Sequence, residues 1–67
     1  MLEENFKEAE NTLILALQYA KISELSDEYA EISILLGKFY VDNGNDSEAA
    51  KYLNAGVEAF KKLGILK

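Results

Sequence analysis

Val41 to Leu53, VDNGNDSEAAKYL, crowds carboxylates, amides and a hydroxyl around a single glycine. Oxygen donors at that density can hold a calcium ion, but only at set positions. A helix-loop-helix calcium loop starting at Asp42 would need glycine sixth and glutamate twelfth, and Ser47 and Leu53 stand there. The stretch therefore predicts a corner. Gly44 can take the left-handed conformation that ends a helix, Asn45 can cap the next one, and Glu48 can reach back to close a capping box.

Other chemistry is sparse. Histidine and cysteine are both absent, which removes the commonest general base and the soft metal ligands. Ser23, Ser26, Ser33 and Ser47 have only lysines or carboxylates to activate them. Glu3-Glu4 and Asp27-Glu28 fall at expected helix starts, where the helix dipole accounts for them. There is neither a glycine-rich phosphate loop nor a Glu-x-x-His pair. No enzymatic activity, cofactor or metal is expected.

The chain has 67 residues, a net charge of −5 and an apolar share of 49%, enough for one small folded domain spanning residues 1–67. All seven basic residues are lysines, so no guanidinium is available to grip phosphates in a bidentate manner, and nucleic acid is not an expected partner. Leu13 to Leu17 is the longest unbroken apolar run, too short to cross a bilayer. The start, MLEENFKEAE, is acidic where a signal peptide would be basic. These features predict a soluble, cytoplasmic protein with no membrane partner.

The elements that must position any site are helices. Proline is absent and the first glycine is Gly37, so few residues interrupt the backbone. Phe6, Ala9, Leu13, Ala16, Leu17 and Ala20 recur at steps of three and four and predict a helix over 3–22. Ser26 as a cap, with Asp27 and Glu28 in the first turn, predicts a second over 27–42. One continuous helix through residue 42 is the rival, because nothing between Ser23 and Ser26 enforces a break. The second helix carries Tyr29, Ile32, Leu36 and Phe39 on one stripe, with Ala30, Ile34, Leu35, Tyr40 and Val41 widening it. Such a helix wants neighbours on more than one side and should be central. A third is predicted over 46–63, burying Ala49, Leu53, Gly56, Phe60 and Leu63. Gly64 should end it, with Ile65 folding back onto Phe60.

Shifting the chain by forty residues aligns NFKEAENTLILALQYAK with NDSEAAKYLNAGVEAFK. Asn5 meets Asn45, Glu8 meets Glu48, Ala9 meets Ala49, Leu13 meets Leu53, Ala16 meets Gly56 and Lys21 meets Lys61. Helices one and three thus read as copies of one element, as in helical repeat arrays. Leu36-Gly37, Tyr40, Gly44, Ala49, Leu53 and Gly56 together resemble the signature of the tetratricopeptide repeat family. The resemblance covers residues 30 to 60, with 5 to 22 as the second helix of a preceding unit. Ser33 where a large aromatic is common, the absence of proline, and an offset of forty instead of roughly thirty-four depart from it. Units of longer period resemble those of bacterial signalling regulators.

The resemblance implies an all-α fold of three antiparallel helices, about one and a half repeat units. It also implies a protein- or peptide-interaction role, either as part of a larger regulator or as a self-associating unit. A groove lined by helix two would offer Glu31, Ile34, Lys38 and Asp42 to the partner. A lysine and asparagine set for gripping a free C-terminus is not otherwise present. The alternative is a compact three-helix bundle, natural or engineered, that serves only for scaffolding or oligomerisation.

Tyr40 and Tyr52 are expected to pack between helices and Tyr19 to face solvent. One and a half units leave a face uncovered, so a homodimer is expected, paired about a two-fold axis or by exchange of helix one. Leu2, Ile14, Leu15, Ile22 and Leu25 are the apolar residues a lone chain would expose. Residues 1–31 carry eight carboxylates against two lysines, and residues 32–67 four against five, which reads as solvated helix faces, with head-to-tail contact as the alternative.

Overall fold

The structure, a computed structural model, describes the backbone of residues 2–64 and the side chains of residues 5–64. The fold is all-α: α1 (Leu2–Ile22), α2 (Ser26–Asp42) and α3 (Asp46–Lys62). The bend after Ile22 excludes the single helix through residue 42. The expected Ile65 contact lies outside the described residues.

Each helix ends in a turn with one residue of positive φ. Residues 23–24, 43–44 and 63–64 form turns, and Glu24, Gly44 and Gly64 have positive φ of 58°, 78° and 80°. Leu25 donates its N–H to the Ala20 carbonyl at 2.8 Å, and Asn45 donates to the Tyr40 carbonyl at 2.8 Å. Glu24 and Gly44 donate to the Lys21 and Val41 carbonyls. These paired bonds make the Schellman motif, which satisfies orphan carbonyls by swinging one residue left-handed. The helix ends therefore recur every twenty residues, and the forty-residue repeat is a double step of that spacing.

The two connections differ in chemistry. In the α2 to α3 turn, glycine occupies the left-handed position, and the Asn45 side chain accepts from the Glu48 N–H at 3.4 Å. The Asn45 N–H is taken by Tyr40, so the reciprocal half of the expected capping box does not form. In the α1 to α2 turn, Glu24 carries the positive φ, at a cost of about 1 kcal/mol relative to glycine. Leu25, not Ser26, stands at the cap of α2, with no side-chain hydrogen bond. An uncapped helix start forgoes about another 1 kcal/mol. The first joint is thus the weaker one.

α2 packs against both neighbours, whereas no Cα of α1 comes within 8 Å of one in α3. Against α3 the approach is close, because small residues face large ones. A Cβ at Gly37 would stand 2.6 Å from the Leu53 Cγ, and one at Gly56 2.5 Å from the Ile34 Cδ1. α1 instead meets α2 through larger groups: Phe6 stacks on Phe39 at 4.9 Å between centroids. Leu36, Tyr40 and Ala49 are buried at the centre, with Phe6, Leu13, Ile14, Leu17, Phe39 and Tyr52 around them. Ile14, expected to be uncovered, is half-buried there because its side of α1 turns toward this cluster. Leu63, expected inside, is exposed because it lies in the terminal turn, and Ala9, on the predicted stripe of α1, is exposed as well.

Candidate functional site

α2 has four sides, and three are used. The side bearing Ala30, Ile34 and Gly37 meets α3, and that bearing Phe39 meets α1. Tyr40 fills the space between them: its hydroxyl donates to the Glu10 Oε2 at 2.6 Å, and its ring stacks on Tyr52 at 5.7 Å. The fourth side is open, carrying Glu31, Leu35, Lys38 and Asp42, all exposed. Their steps of four, three and four align them along one stripe about three turns long.

Three of the four residues expected to line a groove, Glu31, Lys38 and Asp42, thus share this open side. Ile34 does not belong with them, because it is half-buried and packs over Gly56. Its place is taken by Leu35, 54% exposed, which sequence reasoning had assigned to the apolar circumference of α2. The spacing alone does not separate the two, since Ile34 lies three residues after Glu31 and four before Lys38, and Leu35 four after and three before. Val41, 49% exposed, lies at the end of α2 on the side that bears Ile34 and Gly37. An apolar side chain between a lysine and two carboxylates can bury aliphatic surface while the charges fix orientation.

A concavity lies on the opposite side, between the ends of α1 and α3 and the start of α2. It is an open groove of about 660 Å³ with a floor of Ala20, Ala55 and Ala59. Lys21, Glu24, Glu58 and Lys62 line its rim, so its charge is balanced. A third surface is the outward stripe of α1, where Leu15, Tyr19 and Ile22 are 64%, 67% and 81% exposed. Tyr19 is therefore at the surface, and Tyr40 and Tyr52 lie between helices, as their positions in the sequence predict. Leu25 is 37% exposed; the Leu2 side chain lies outside the described residues.

Asp42 to Glu48, the oxygen-rich segment, is the α2 to α3 turn itself. Among the described residues, no three acidic side chains are grouped so as to hold a metal ion, and no helix is long and apolar enough to cross a membrane. No protein-family model, curated protein or solved structure matches the chain.

Proposed function

We propose that this chain is a protein- or peptide-interaction module of the tetratricopeptide-repeat kind, which takes an extended or helical segment along the open side of α2. The observation that carries this role is the separation of α1 from α3. In a compact three-helix bundle each helix packs against both others. Here α2 is flanked and not enclosed, the arrangement of a stacked helical repeat. Glu31, Leu35, Lys38 and Asp42 supply the lining, with Leu35 as the apolar anchor and Lys38 as the contact for a carboxylate. The apolar stripe of α1 supports self-association as well.

The test is selection of binders from a random-peptide display library against the purified chain. Enriched peptides should share an apolar residue next to an acidic one, and binding should weaken about tenfold in the Leu35→Ala, Lys38→Ala double variant. Its melting temperature should stay unchanged, because both side chains are exposed. Absence of enriched sequences, or binding indifferent to the two substitutions, would refute the role.

A further inference from the structure

We infer that the α1 to α2 turn is a hinge, through which two copies of this chain exchange α1 to form a dimer. The inference rests on the self-association reading and is independent of peptide capture by α2. Three observations combine. First, the turn is strained and uncapped: Glu24 holds a φ of 58°, and Leu25 offers no cap to α2. Second, Ile22-Ser23-Glu24-Leu25-Ser26 contains no glycine or proline, so it can straighten into helix and keep its backbone hydrogen bonds within the segment. The α2 to α3 turn, with Gly44 and a capping Asn45, has no such incentive.

Third, what holds α1 is portable. The Phe6 to Phe39 stack, the Tyr40 to Glu10 hydrogen bond and the packing of Leu13 and Leu17 all lie in the interface of α1 with the rest of the chain. A partner's α1 can make every one of them. Opening thus relieves two left-handed residues per dimer, exchanges the turn's Leu25 to Ala20 and Glu24 to Lys21 bonds for helical ones and keeps the packing of α1 on α2, the circumstance in which short strained connections favour exchange. Geometry adds a new contact. When each straightened rod lays its first half on the other's second half, the two hinges lie side by side. Leu25, 37% exposed in the closed chain, then lies near the two-fold axis.

Two measurements test this on the whole chain. In sedimentation equilibrium after refolding at high concentration, dimer should form, and Glu24→Gly, which suits the left-handed turn, should weaken dimerisation at least about tenfold. Spin labels placed on one chain at Asn11 and Lys38, both exposed, are then diluted into excess unlabelled chain. The dimer should show an intrachain distance of roughly 40 Å, the rise of an unbroken helix between those positions, and the monomer a shorter one. Strict monomers at every concentration, a dimer that keeps the short distance, or a Glu24→Gly dimer as tight as the parent would each overturn the exchange. Peptide binding by the Glu24→Gly chain reports separately on α2.

Discussion

The Tyr40 hydroxyl is the polar group that ties α1 to α2, and its environment makes stability depend on pH at the alkaline end. Its pKa stands far above the ordinary 10.0, first because burial disfavours the phenolate, then because it donates to the Glu10 carboxylate and sits beside that negative charge. The unfolded chain releases this proton near pH 10 while the folded chain retains it. Stability is therefore full below pH 10 and declines as the pH rises above it. Tyr40→Phe should lose about 1 kcal/mol at neutral pH, the net worth of the bond, and show a shallower alkaline decline in urea titrations at pH 7 and pH 11. Ser33 is the opposite case: it is fully buried, and its hydroxyl has no hydrogen-bond partner among the described residues. Ser33→Ala removes an unsatisfied group and improves helix propensity, so it should stabilise by about 1 kcal/mol. In calorimetry that corresponds to a melting temperature higher by about 4–8 °C.

At the scale of elements, the spacing between α2 and α3 is set by two glycines facing two large aliphatics. A Cβ at Gly37 would meet the Leu53 side chain at 2.6 and 2.7 Å and its backbone nitrogen at 3.0 Å. The side chain can rotate away, but the backbone cannot, so α3 must move outward. Gly37→Ala should destabilise by about 1–2 kcal/mol in denaturant titration, overpacking outweighing the gain in helix propensity. This interface was legible in the sequence, since small and large residues alternate at helical spacing along Ala49, Leu53, Gly56 and Phe60. The helix spans agree with expectation to within a residue at each end, because periodicity and Gly44 mark them. What the sequence concealed was the Schellman turn at Glu24, a residue type that seldom takes positive φ. That turn moved the cap of α2 from Ser26 to Leu25. Ile34 and Leu35 are adjacent and both aliphatic, so only the direction of α3 tells which of them is covered.

Over the whole molecule, the Cα atoms span 40 × 24 × 13 Å, an extended slab with α2 along its middle. The two outer helices are not equally secured. α3 interlocks with α2 at two glycines and enters through a capped turn, whereas α1 is held by an aromatic stack, a side-chain hydrogen bond and the half-buried packing of Leu13, Ile14 and Leu17, and joins α2 through an uncapped turn. Native-state hydrogen exchange should accordingly show α1 opening as a unit before the rest, with its amides protected at least about tenfold less than those of α2 and α3. Equal protection across all three helices would mean that the joint at Glu24 is not the weak point. The open side of α2 follows from the same architecture, since the side bearing Glu31, Leu35, Lys38 and Asp42 faces away from both flanking helices. The most direct measurement is a backbone NMR titration of the chain with a peptide selected from the display library. The account predicts shifts confined to the stripe of Glu31, Leu35, Lys38 and Asp42; shifts centred on Lys21, Glu24, Glu58 and Lys62 in the opposite groove would contradict it.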